Sequence, residues 1–223
     1  MQRLAVLVSG GGSNLQAILD HLAAQGREAP AAVSVVISDR ADAYALERAR
    51  ARGIAAVHVP RTAPEDALER TLDEHRVDLV ALAGYLRLIP AAVVRRWRGR
   101  MLNVHPALLP AFGGHGMYGH RVHEAVLASG ARLSGATVHF VDEQFDRGAI
   151  LAQWPVPVRA NDTPDTLAAR VLQVEHKIYP WCVEALARGA VRLGEDGRVY
   201  GHVPFDFARF GVEGPPHPFV PDV

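Results

Sequence analysis

Across residues 3–105 short apolar, β-rich runs alternate with longer stretches whose apolar positions recur at helical spacing. That alternation is the signature of βαβ units, which force a parallel sheet with helices packed on it. The runs Arg3–Val8, Val33–Ser38, Ala55–Val59, Leu79–Ala83 and Met101–His105 read as strands. Between them, Asn14–Gln25 reads as a helix with Leu15, Ile18, Leu19 and Leu22 on one face. Ala43–Arg52 reads as a second helix ended by Gly53, Pro64–His75 as a third, and Pro90–Trp97 as a short fourth.

After Pro106 the texture changes. Residues 108–119 are rich in Gly and Pro and too long for an ordinary connection, which marks a functional loop. Val122–Ser129 reads as a helix, and Ala136–Val141 with Ile150–Val158 as a long hairpin. Thr163-Pro164-Asp165 starts a helix that runs to Arg188, and Gly194–Gly197 turns between two short strands. The expected class is α/β: a Rossmann-like, open, mostly parallel sheet flanked by helices, with an antiparallel C-terminal extension. One domain over residues 1–203, with a surface tail at 204–223, is the economical organisation.

Composition limits what such a domain can do. The 24 basic and 24 acidic side chains balance, which argues against recognition of nucleic acid or an anionic membrane by bulk charge. An apolar content of 49% is ample for a core. No apolar window is long enough to span a bilayer, so a cytoplasmic protein is expected. Cys182 is the only cysteine, which excludes an intramolecular disulfide and a Cys-rich zinc site. The 11 histidines are scattered without metal-ligand spacing, so no metal is expected.

Three segments could carry chemistry. Ser9-Gly10-Gly11-Gly12-Ser13-Asn14 joins a buried strand to a helix, so its backbone N–H groups and the helix dipole suit a phosphate. It is neither the dinucleotide fingerprint, since Leu15 replaces the third glycine, nor a Walker loop; a plain tight turn is the bland alternative. Asn103 and His105, two apart in a strand, share a face at its carboxyl end, where open α/β sheets bind ligands. An amide and an imidazole there can donate to one developing oxyanion, and the histidine can move a proton; a hydrogen-bonded core pair would look the same. The stretch from His139 to Gly148 sets Thr137 and His139 on one face and crowds acids, Asp142 and Asp146 among them, into the following loop.

Read in order, Ser9-Gly10-x-Gly12-Ser13-Asn14-Leu15-Gln16, Leu82-Ala83-Gly84-Tyr85-Leu86-Arg87-Leu88, Asn103-Val104-His105-Pro106-Ala107-Leu108-Leu109-Pro110, and His139-Phe140-Val141 followed by Asp146-x-Gly148 resemble the phosphoribosylglycinamide formyltransferases, folate-dependent enzymes of purine synthesis. The resemblance covers nearly the whole chain and implies the formyltransferase fold. Other 10-formyltetrahydrofolate enzymes share the Asn-x-His-Pro motif, but a tRNA formyltransferase is expected to carry a further C-terminal domain. A formyltetrahydrofolate deformylase is expected to carry an N-terminal one, whereas the first strand here begins at Arg3. A non-catalytic sensor of phosphorylated metabolites would leave Asn103, His105 and Asp146 without a purpose.

The resemblance implies a cosubstrate, 10-formyltetrahydrofolate, and a substrate, glycinamide ribonucleotide, acted on by a monomer or homodimer. It implies that Gly12, Ser13 and Asn14 bind the substrate phosphate and Glu175 the ribose hydroxyls. Leu86, Arg87, Leu88 and Ile89 form one wall of the folate pocket; Val141, Asp142 and the residues up to Asp146 form the other. Asn103, His105 and Asp146 become the catalytic trio, with His139 supporting the carboxylate. Residues 1–105 are then the phosphate-binding half and 106–203 the folate and catalytic half. Asp146 is expected to keep His105 as an imidazolium. With one lysine and no basic run beside the glycine loop, phosphate recognition is expected to rest on backbone N–H groups. The chain departs from the family pattern at Ala111 and in the glycine-rich 112–119 loop, and Arg61 stands nearest the position of an arginine that some members aim at the folate tail.

Overall fold

The computed structural model describes residues 1–64 and 66–203; the expected tail at 204–223 lies outside them. Seven strands form one sheet: β1 (Gln2–Val8), β2 (Ala31–Ser38), β3 (Ala55–His58), β4 (Leu79–Leu82), β5 (Met101–His105), β6 (Leu133–Phe140) and β7 (Ile150–Pro157). Their order is β3-β2-β1-β4-β5-β6-β7. β1 to β5 run parallel, while β6 is antiparallel to both β5 and β7. A separate two-stranded antiparallel sheet joins β8 (Val191–Leu193) and β9 (Val199–Gly201).

Helices cover both faces, which is why the central strands are apolar at every position rather than at alternate ones. Leu4, Val6 and Val8 of β1 pack on one side with α1 (Ser13–Ala24), α2 (Tyr44–Arg50) and α6 (Pro164–Ala187). Ala5 and Leu7 pack on the other side with α3 (Ala67–Glu74) and α4 (Ala91–Arg96). α5 (His120–Ser129) follows the 108–119 loop. The start of α6 is the expected one: Thr163 and Thr166 bond reciprocally at the cap and Pro164 takes the first position.

Some boundaries differ from expectation for local reasons. α3 starts at Ala67 rather than Pro64, because Pro64 first closes a turn in which its carbonyl accepts the Ala67 N–H at 2.9 Å. β6 begins at Leu133, not Ala136. Ser134-Gly135 has turn-like composition, yet Gly135 is a strand residue set so close to β7 that a Cβ would collide with the Trp154 carbonyl. A short 3-10 turn at Gly26–Glu28 was not expected.

Strand order reverses between β1 and β4, where chain connections depart to opposite sides. Ligands of open α/β sheets lie in the crevice at the carboxyl ends of such strands. The glycine loop after β1 and the segment after β4 meet there: the Ser9 N–H donates to the Gly84 carbonyl at 3.0 Å.

Candidate active site

A cavity of about 530 Å³ opens at these strand ends, within the size range of small-molecule sites. Asn14 and Glu175, residues 84–89, residues 103–106, the 114–119 loop and residues 141, 142 and 144–146 all line it. Gly12 and Ser13 do not line it themselves; they sit in the loop that leads to Asn14.

The glycine loop is held from behind and open in front. Gly12 has φ +73°, and a Cβ there would stand 2.6 Å from the Ala45 Cβ, so only glycine fits. The Gly10 carbonyl accepts the Ala45 N–H at 3.2 Å. The Gly11 carbonyl accepts Arg48 Nε at 2.8 Å. With the carbonyls tied to α2, the N–H groups of Gly11 through Leu15 reach no acceptor among the described residues, an anion-binding nest at the start of α1. Arg48 was not foreseen from the sequence. Its guanidinium also donates to Gln16 Oε1 at 3.1 Å and lies 4.9 Å from the Tyr44 ring centroid. It places a side-chain cation beside a loop whose neighbours in sequence include none. Only the position of Arg48 three residues beyond Ala45 on α2 links it to the loop, and sequence alone does not bring α2 there.

Behind the loop, Asn14 Nδ2 donates to Glu175 Oε2 at 2.6 Å, although the two residues lie far apart in the chain. Burial raises the Glu175 carboxyl to about 7 against the lowering effect of Asn14. Asn14 Oδ1 is buried without a partner among the described residues. The pair thus presents an unused acceptor and a carboxyl group to the cavity, matched to a donor such as a sugar hydroxyl.

At the other end, side chains converge from three segments. β5 and β6 set Asn103 directly opposite His139, and Asn103 Nδ2 donates to His139 Nε2 at 3.1 Å. His139 Nδ1 donates to the Phe140 carbonyl at 2.8 Å, which fixes that tautomer. Asp146, in the loop after β6, lies 3.5 Å from His105 Nδ1, 3.6 Å from His139 Nε2 and 3.5 Å from Asn103 Nδ2. It adopts φ +55°, a left-handed conformation uncommon for a residue with a side chain, and accepts the Gly114 N–H at 2.9 Å. Gly148 explains the spacing to Asp146: a Cβ there would collide with the Phe140 carbonyl.

Electrostatics here pull in two directions. Burial lowers the His105 imidazole below its ordinary value, outweighing the opposite pulls of Asp146 and of the Phe112 carbonyl, which accepts Nε2–H at 2.8 Å. Each ring nitrogen nonetheless faces an acceptor, Nε2 the Phe112 carbonyl and Nδ1 the Asp146 carboxylate at 3.5 Å, so the ring can hold a second proton when it gains one. Burial by itself would raise the Asp146 carboxyl, but the neighbouring His139, His105 and Gly114 N–H together hold it below the usual value. The trio combines an imidazole, an ionised carboxylate and an amide.

The two expected pterin walls face each other across this cluster. Leu86 and Leu88 protrude into the cavity while Tyr85 and Ile89 anchor the segment in the core. Arg87, Val141 and Asp142 also line it, as does Arg61, whose Nε donates to Asp39 Oδ2 at 3.1 Å. The 112–119 loop, with positive φ at Phe112, Gly114, Gly116 and Gly119, closes one side, and its His115 ring lies 5.7 Å from that of Phe145. Among the described residues no cluster of three His, Cys, Asp or Glu is arranged to hold a metal, and no helix is long and apolar enough to cross a membrane.

Residues 2–183 match the Formyl transferase family model. The chain is 46% identical over 202 residues to the chloroplastic phosphoribosylglycinamide formyltransferase of Vigna unguiculata, covering 88% of this chain and 64% of the relative. To the Arabidopsis thaliana protein of the same name it is 47% identical, covering 88% of this chain and 69% of the relative. This chain therefore spans about two thirds of the length of these plant proteins. Among solved structures, glycinamide ribonucleotide transformylase 1 of Symbiobacterium toebii superposes with a TM-score of 0.82 at 44% identity, covering 91% of this chain and 94% of that one.

Proposed function

This chain belongs to the formyl transferase family, and from that premise we propose that it transfers the formyl group of 10-formyltetrahydrofolate to the glycyl amine of glycinamide ribonucleotide in purine biosynthesis. The observation that carries this reading is the meeting, in one cavity, of the Asn103, His105 and Asp146 cluster with the Asn14–Glu175 pair beside the open N–H groups of the glycine loop. In this reading the loop of Gly12, Ser13 and Asn14 takes the phosphate and Glu175 the ribose hydroxyls. The folate pterin lies between residues 86–89 and residues 141–146.

Attack of the neutral amine on the formyl carbon forms a C–N bond and moves the carbonyl electrons onto oxygen. Asn103 donates to that oxyanion, replacing its long 3.5 Å contact with Asp146. The neutral His105 takes a proton from the attacking nitrogen and delivers it to N10 as the C–N10 bond breaks. One proton is thus moved and none consumed. Asp146 favours the imidazolium formed in between, and His139, bonded to Asn103, holds the amide in place. Burial, which lowers the His105 imidazole, favours the neutral form in which it begins as the base.

The same reading has one domain over residues 1–203 working as a monomer or homodimer in the cytoplasm, without a metal, nucleic acid or membrane partner. The test mixes the protein with both substrates and follows the absorbance of the folate product. Product formation that requires the ribonucleotide is expected; none with active substrates overturns the reading. Release of formate without the ribonucleotide would favour a deformylase instead.

A further inference from the structure

We propose that Ser9 and Asp39 form a positioning pair for the folate wall, a role that rests on reading residues 86–89 as that wall. Ser9 follows β1, Asp39 follows β2, and both are buried. The Ser9 hydroxyl has one proton and donates it to Asp39 Oδ1 at 2.6 Å. With its rotor fixed by a carboxylate, its remaining lone pairs accept the Leu86 N–H at 3.0 Å. The Ser9 N–H in turn donates to the Gly84 carbonyl. One residue therefore ties both ends of the 84–86 turn, which Gly84 enters at φ +75°.

The wall needs such a tie. Leu86 and Leu88 are 41% and 48% exposed, so packing does not fix the part of the segment that faces the ligand. Tyr85 and Ile89 hold it to the core on either side, and the Ser9 hydroxyl sets the backbone between them. Asp39 is itself compensated: its side chain is fully buried, and its second oxygen accepts from Arg61, which lines the same cavity. The dyad thus links the wall to the cavity mouth, while the N–H groups of the glycine loop that follows Ser9 remain open toward the nucleotide side.

Ser9→Ala and Asp39→Asn in the full chain test the role. For Ser9→Ala the KM for the folate cosubstrate is expected to rise roughly tenfold, as for loss of a buried hydrogen-bond acceptor, while the KM for the ribonucleotide changes by less than about twofold. Asp39→Asn is expected to move the folate KM in the same direction but less, because an amide oxygen still accepts the Ser9 proton. This second variant decides the matter if Ser9→Ala fails to fold. An unchanged folate KM in a folded variant overturns the proposal, as does an equal rise in both KM values, the mark of a general structural role. Wild-type protein that turns over no folate refutes the functional reading itself, whereas normal wild-type turnover with an unaffected variant refutes only the dyad.

Discussion

The two ends of the cavity are built from different materials. At the end proposed for the nucleotide, the candidate anion site is backbone: N–H groups after Gly10, with Arg48 and Ala45 gripping the carbonyls from behind. At the end proposed for the formyl group, the candidate site is side chains: Asn103, His105, His139 and Asp146, each within 3.6 Å of another member. A backbone site depends on the conformation that only certain residues allow, whereas a side-chain site depends on which functional groups are present. Substitutions should therefore hurt the two ends in opposite ways.

The largest effect is expected at the formyl end. Asn103→Ala or His105→Ala removes an oxyanion donor or the proton carrier, and kcat is expected to fall about 10²- to 10³-fold with KM values within a few-fold. Steady-state kinetics with both substrates checks this, and near-wild-type kcat would remove either residue from the mechanism. At the nucleotide end the corresponding damage is conformational. Gly12→Ala forces a Cβ against Ala45 at φ +73°, so denaturant unfolding is expected to reveal a loss of roughly 2–4 kcal/mol together with a higher KM for the ribonucleotide. Loss of stability without a change in that KM would separate the loop from the phosphate.

The two ends also differ in their response to pH. The Glu175 carboxyl has a folded value of about 7 against an ordinary 4.5. The protonated form is thus favoured by folding: its contribution is full below pH 4.5 and is lost as the pH rises through about 7. Glu175→Gln is expected to remove that loss, making the variant more stable than wild type at pH 8 relative to pH 4.5 by up to roughly 3 kcal/mol. The buried histidines act in the opposite sense: burial lowers the His105 imidazole, so its contribution is lost as the pH falls below 6.5. His123 on α5, outside the cavity and lowered to about 4 by burial and then by the nearby His120 and His105, does the same as the pH falls from 6.5 through 4. Parallel pH–stability curves for wild type and Glu175→Gln would show that the carboxyl does not titrate in this window. The smallest effect is expected for Ser13→Ala, because Ser13 offers its N–H; a change above about threefold in the ribonucleotide KM would move the binding group to the hydroxyl.

Much of this contrast was legible in the chain. The parallel strands, the glycine turn and the strand bearing Asn103 and His105 are local features. Apolar periodicity reports burial of one segment, and Gly, Pro and Thr report turns and caps. Gly135 was not legible, because there the close approach of β7 to its backbone overrides turn-like composition.

What the sequence determined by itself is the alternation of strands and helices, and with it the sheet and the end of the sheet where a ligand sits. Its motifs also determined which side chains stand near that end. The tertiary structure alone decided the charge of those side chains and their partners. Asn14 meets Glu175 across 161 positions, Arg48 reaches Gly11 from another helix, and burial among distant segments lowers the His105 imidazole against the pull of Asp146. The physical reason is that periodicity depends on neighbours in the chain, whereas desolvation and hydrogen bonding depend on neighbours in space, which only the completed packing supplies.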